Sequence, residues 1–279
     1  MRAAVGLLAL LVVVLCWAAV PASALTARAL GMGEAQTAIA SDAAAWIYNP
    51  AGLAWLPQAA PQGKASQLIV GAGQVDTPGD NVTIYHLHAA SPVGGPTAGW
   101  AAGAVRAAVG DTEATTFGGA FGARFGRAQG WSWGGAVRQT KVEVGGISDS
   151  KTYVDAGLIL GGLTMGQGAQ GGMLRLGAVW RDILGESDNT ILDAGAALIG
   201  VGYLVDLDVN DVLDKVEQTV NVGAELEFGK GLVGRIGSLD GDLTLGAGLR
   251  TPTFQLDFAH AQLADGDTPA TMLSFTTRF

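Results

Sequence analysis

The chain has 279 residues, of which 15% are charged, and a formal net charge of −9. An acidic chain of this kind is a poor partner for nucleic acid, where affinity comes from neutralising phosphates. Mean hydropathy is +0.32, yet beyond the N-terminal leader no apolar run reaches the ~20 residues a membrane helix needs. Two readings remain, a buried soluble β fold or a membrane β-barrel whose lipid-facing residues alternate with interior ones.

Met1-Arg2, the apolar run Ala3 to Val20 and the Ala22-Ser23-Ala24 site read as a secretory signal peptide over residues 1–24, against the alternative of an N-terminal membrane anchor. The only cysteine, Cys16, lies inside it. The ~255 residues that follow suit one β domain, with no disulfide and no Cys-ligated zinc.

Arg28 to Leu56 has a pattern of its own, RALGMGEAQTAIASDAAAWIYNPAGLAWL. Ser41-Asp42 ahead of Ala43, Ala44, Ala45 and Trp46 reads as an N-cap and a short helical turn. Asn49-Pro50-Ala51-Gly52 reads as a turn, because Pro fixes φ and Gly permits φ > 0. A small Ala-rich segment ahead of a β chain needs somewhere to bury its apolar face, and a barrel interior would supply it.

From Gln67 onward, alternation and turn punctuation predict fourteen strands near 67–75, 81–91, 97–109, 113–126, 129–143, 151–163, 172–182, 190–198, 201–208, 219–228, 231–237, 243–250, 253–262 and 270–279. The eighth, ninth and eleventh are short, so the expected count is twelve to fourteen. Val220, Val222, Ala224, Leu226 and Phe228 share one face, with Asn221, Gly223, Glu225 and Glu227 opposite. Phe254, Leu256 and Phe258 oppose Gln255 and Asp257. The polar face is rich in Gly and poor in charge, unlike the water-facing side of a soluble sandwich. It suits a crowded lumen with something packed inside.

The turns differ by parity. Odd-numbered connections carry Asp76 and Asp80, Asp111 and Glu113, Asp149, Glu186 and Asp188, Asp211, Asp214 and Glu217, Asp240 and Asp242, Asp265 and Asp267; even ones carry almost no acid and several bases. Asp is a good turn former, but that alone does not explain the alternation. With the N-terminus periplasmic, the acidic turns face outside, where they would meet divalent cations at the lipid surface. The longest outer connection is expected near 209–218. The chain closes on ATMLSFTTRF, in which Phe279, Thr277, Phe275, Leu273 and Thr271 share a face. A strand ending this way looks like the assembly signal of outer-membrane barrels, here Phe275 and Phe279.

The opening stretch resembles the start of the FadL-like superfamily of outer-membrane barrels, which includes long-chain fatty acid transporters and PorV/PorQ-type proteins. The resemblance rests on Arg28, Gly31 and Gly33, then Asp42, then Asn49-Pro50-Ala51 with Gly52. It implies an all-β transmembrane antiparallel barrel (65–279) and a partly helical hatch (25–64) inside its lumen. It also implies an exported outer-membrane protein that meets outer-membrane lipid and the barrel assembly machinery, and takes up small hydrophobic, fatty-acid-like molecules passively. By the same resemblance Gly31 and Gly33 allow close packing on the wall, and Asn49 holds the turn that Pro50 stiffens. The outer connections are shorter than those of the fatty acid transporters, so a PorV-like scaffold or carrier partner for secreted proteins is the alternative.

Lumen-lining candidates are Trp46, Trp55, Arg138, Asp155, Arg175, Arg181, Glu225, Glu227 and Asp257. Buried charges of this kind must be paired or hydrated, in a structural network with the hatch or as a polar lining for a ligand headgroup. Trp100, Trp131, Trp133, Trp180, Tyr153 and Tyr203 include candidates for interfacial girdles. His86 and His88 share a face but lack a third metal ligand, and suit a membrane-boundary or lumen position; His260 suits an interface. No Ser, His and carboxylate converge as a hydrolase would need, so neither an enzyme nor a metal or other cofactor is expected.

Overall fold

The computed structural model describes residues 26–56, 66–77, 79–93, 97–126, 130–165, 172–185, 190–213, 216, 218–263 and 268–279. The leader, Leu25, residues 57–64 of the expected hatch, and Glu186, Asp188, Asp214, Glu217, Asp265 and Asp267 of the acidic turns lie outside the described residues.

Fourteen antiparallel strands close into one barrel. They are β1 (Gln67–Thr77), β2 (Asp80–Pro92), β3 (Ala98–Val109), β4 (Thr112–Phe125), β5 (Trp131–Val144), β6 (Ile147–Met165), β7 (Gly172–Arg181), β8 (Ile191–Gly200), β9 (Tyr203–Asn210), β10 (Thr219–Phe228), β11 (Leu232–Leu239), β12 (Asp242–Arg250), β13 (Phe254–Leu263) and β14 (Thr268–Arg278). Every strand expected from alternation is present, including the three short patterns. Closure comes from β1 against β14, with Gln67 opposite Arg278 and Val75 opposite Ala270. This seam leaves no free sheet edge, as a bilayer requires.

The two faces follow the period of two. Val220, Val222, Leu226 and Phe228 on β10 point outward and are exposed, as are Phe254, Leu256 and Phe258 on β13 and Leu273 and Phe275 on β14. Asn221, Gln255, Asp257 and Ser274 between them are buried. An outward apolar belt over an inward polar face is the pattern that a surrounding bilayer stabilises. Trp100, Trp131, Trp133 and Trp180 stand in that belt, and Trp131 stacks on Phe125 at 4.8 Å. Tyr153 departs from the girdle expectation. It shares the inward face of Asp155, and the Arg138 guanidinium lies 5.4 Å from its ring centroid.

The odd connections gather at one end of the barrel, and the even ones share the other end with Gln67 and Arg278. In single-chain outer-membrane barrels the second end faces the periplasm. Asp240 and Gly241 both have positive φ, the type I′ geometry that suits a two-residue hairpin. The longest outer connection is 182–190, with 211–218 next. β6 runs farther than its pattern suggested, because the turn at Gly145 and Gly146, both at positive φ, lets pairing with β5 continue out to Ile147.

Residues 26–56 lie inside the barrel. Helix α1 (Ala27–Gly31) packs on β12, β13 and β14, and a 3-10 turn (Pro50–Trp55) packs on β3 to β6. Between them is helix α2 (Ala45–Tyr48), two residues later than the turn expected from Ala43. The cause is Asp42, whose Oδ1 accepts from Ala44 N at 2.9 Å and makes a side-chain turn of the residues before the helix. Helix α1 is a feature the sequence reading lacks. Thr26 caps it, accepting from Ala29 N at 3.2 Å.

Candidate functional site

The site is the contact between this inner segment and the wall around it. Small inward residues make the contact close. A Cβ at Gly134 of β5 would lie 2.5 Å from Ala51 N, and one at Gly33, which sits at φ +60, would lie 2.5 Å from Ser238 O. The Gly-rich lumen face therefore has a physical cause: backbone meets backbone there.

Asn49 is the principal tie. Its Oδ1 accepts from Ala51 N at 3.0 Å and starts the 3-10 turn at Pro50. Its Nδ2 donates to Thr37 O at 2.7 Å, and to Leu158 O and Ala178 O of the wall at 3.3 and 3.4 Å. Gly52 beside it has no room for a side chain, because a Cβ would overlap Ala40 O. Asp208 of β9 makes the reciprocal tie. Its Oδ2 accepts from Gln36 N at 2.7 Å and Thr37 N at 2.8 Å.

On the α1 side the charges are matched. Arg28 Nε donates to Glu225 at 3.3 Å and its Nη1 to Asp42 at 3.4 Å. Burial works against the charge on Arg28, and the carboxylates of Glu225, Asp42 and Asp257 outweigh it, raising its pKa above the ordinary guanidinium value. Arg235 of β11, with its side chain fully buried, joins Glu225 at 2.8 Å and Asp257 at 2.9 Å. Arg250 reaches Glu225 at 2.8 Å and, at the rim, the half-exposed Glu227 at 3.5 Å. Gln255 accepts from Arg278 at 2.7 Å and donates to Asp257 at 2.7 Å. All of these groups except Arg235 line a cavity of about 340 Å³ at the periplasmic end.

A second matched set lies toward the outer end. Arg138 holds Asp155 through two hydrogen bonds of 2.7 and 3.1 Å. Arg181 pairs with Asp193 and donates to Ile47 O at 2.8 Å, which fixes the end of α2. Above Trp46, the indole N–H donates to His88 Nδ1 at 3.0 Å, and His86 stacks on His88 and meets Ser274 Oγ at 3.1 Å. Both histidines are buried in the lumen; His88 is a polar partner of the inner segment, and His86 links it to Ser274 of the wall. Among the described residues, no cluster of His, Cys, Asp and Glu has metal-ligating geometry.

The opposite periplasmic quadrant is different. Trp55 donates its indole N–H to Ser132 Oγ at 2.9 Å. Two guanidinium groups lie over its ring, Arg175 at 4.1 Å and Arg124 at 4.6 Å from the centroid. Such contacts are worth roughly 0.5–2 kcal/mol each, while desolvating a lone charge costs several kcal/mol. Beside Trp55 the wall itself is irregular. Pairing of β6 with β7 shifts between Leu160 and Leu163, and a Cβ at Gly161 would lie 2.5 Å from the Trp55 ring.

On the side from β11 round to β3, the outer half of the lumen is apolar. Val75, Val82, Ile84, Val105, Leu239 and Leu263 are buried in one cluster with Trp46, Ile47 and Tyr48. Of the candidate residues, the structure brings Arg28, Asp42, Glu225, Glu227 and Asp257 together, pairs Arg138 with Asp155, and sets Arg175 apart with Trp55. Phe275 and Phe279 stand on the outside of the barrel, away from the lumen. Sequence reasoning missed Asp208, Arg235, Arg124 and Ser132. Asp206-Leu207-Asp208, two acids flanking an outward Leu, is the one signal that pointed inward.

By sequence, no family model matches the chain, and no curated relative does. Solved structures match its fold. The monoaromatic hydrocarbon channel CymD is 13% identical, with 91% of this chain and 97% of that one covered and a TM-score of 0.60. The P. putida toluene transporter TodX is 12% identical over 92% and 99%, with a TM-score of 0.56. A Pseudomonas aeruginosa FadL homologue is 9% identical over 91% and 98%, with a TM-score of 0.53. The chain thus has the FadL-like fold, a closed fourteen-strand outer-membrane type of barrel.

Proposed function

We propose that the protein is a passive channel through which small hydrophobic molecules cross the outer membrane. The observation that carries this reading is the apolar side of the outer lumen, Val75, Val82, Ile84, Val105 and Leu263, packed against Trp46 and Ile47. A hydrophobic molecule entering from the acidic end would exchange water for apolar surface and then meet the inner segment. The shift in the wall at Gly161-Gly162 supports a sideways exit beside Trp55. The fold neighbours named for toluene and monoaromatic hydrocarbons support the same substrate class, and fatty-acid-like molecules are its acidic members.

The test is uptake into proteoliposomes with lipopolysaccharide in the outer leaflet, using a labelled fatty acid and a labelled aromatic hydrocarbon. Uptake above protein-free vesicles, raised when residues 25–64 are deleted, is the expected result. No uptake with either form sinks the channel reading.

A PorV-like scaffold for a secreted protein is the second reading. Ile183, Leu184, Val212, Leu213 and Val216 are exposed on neighbouring outer connections, an apolar rim of the kind that partners cover. Specific copurification of a secreted protein, lost on Leu184→Asp with Leu213→Asp, would favour it.

A further inference from the structure

We propose that Arg175, Arg124 and Trp55 form a binding site for a compact oxyanion, a carboxylate or a phosphate group, at the periplasmic edge of the lumen. Arg175 carries the argument. It stays only 7% exposed, and its Nε is buried with no hydrogen-bond partner. Stacking on the Trp55 ring at 4.1 Å satisfies the flat face of the guanidinium. It leaves the Nε–H unpaired in the guanidinium plane, one edge of the fork that fits a carboxylate or phosphate. Arg28, Arg138, Arg181, Arg235 and Arg250 each have a carboxylate in contact, and Arg278 donates to Gln255 Oε1 and Thr251 O.

The stretches 57–65, 127–129 and 166–171, next to the site in sequence, contain no Asp or Glu. Arg124, 4.6 Å from the same indole centroid, places a second positive charge beside the first. Ser132 holds the indole through its N–H at 2.9 Å, so the ring cannot turn away from the two cations. Two positive charges beside an apolar ring, with no acid in contact with Arg175 among the described residues, favour an anion from outside the chain. That anion is either free in the periplasm or the headgroup of an amphiphile, and the shared chemistry is the oxyanion.

The experiment is equilibrium dialysis of the full chain in a neutral detergent against labelled inorganic phosphate, octanoate and octanol. Saturable binding of at least one oxyanion, with a higher unfolding midpoint in its presence, is expected. Arg175→Met should weaken that binding about tenfold or more, Arg175→Lys by less, and Arg106→Met at the exposed outer rim not at all. Phosphate alone would identify a free oxyanion, and octanoate alone would identify a headgroup on an apolar tail. Binding of neither to the native chain overturns the proposal, and so does equal binding by Arg175→Met. Unheated gel migration reports whether each variant keeps its barrel. The assay needs no transport, so its outcome is separable from that of the channel reading.

Discussion

The two sides of the inner segment hold their arginines by different physics. Beside α1, Arg28, Arg235 and Arg250 converge on Glu225, with Asp42, Asp257 and Glu227 completing the charge balance. Beside the 3-10 turn, Arg124 and Arg175 share an indole ring and Arg175 has no acid in contact. The first side is charge-balanced by the chain itself and reads as a structural lock. The second is incomplete as folded, which marks it as a place for something that comes and goes.

The largest effect should come from breaking the lock. Arg235→Met leaves Glu225 and Asp257 buried with less counter-charge, and a broken buried pair of this kind costs about 3–5 kcal/mol. Urea unfolding of lipid-reconstituted protein reads it, and a loss below about 1 kcal/mol would show that water, and not Arg235, compensates these carboxylates. Asn49→Ala comes next. It removes the tie to Thr37 and the cap on Ala51, and should cost about 2–3 kcal/mol; protease cleavage within residues 26–56 should rise with it. The smallest effect belongs to the other side. Arg175→Met removes a buried cation that lacks an acid, so in anion-free buffer its unfolding should match or exceed that of the native chain. A loss as large as that of Arg235→Met would erase the contrast between the two sides.

Much of this fold was legible because lipid and lumen impose opposite chemistry on neighbouring residues. Val220 to Phe228 and Phe254 to Phe258 declare their faces without help from any partner. The Gly-rich lumen face was equally readable as a sign of close packing, and Gly134 against Ala51 is its cause. The charge pairs were not legible, because pairing depends on register. Glu225 lies directly across from Arg235, which alternation alone does not specify. Arg28 reaches Glu225 across 197 positions of sequence. The Trp55 site was hidden for a further reason. Its two arginines come from β4 and β7, and only the inner segment between them makes them neighbours.

Helix placement failed for a local reason. Asp42 looked like an N-cap but spends its carboxylate on a turn and on Arg28. Tyr153 failed for another: an aromatic near a strand end suits an interface, yet parity turns it inward under Arg138.

Where wall glycines face the inner segment, no layer of side chains separates the two backbones. The amides of Gln36, Thr37 and Ala51 are each held by a buried side-chain oxygen, of Asp208 or Asn49. Solvent deuterium would reach these three positions only when the segment leaves its seat as one body. Their common exchange rate is then a clock for that departure, set by the same contacts that make the lumen glycine-rich.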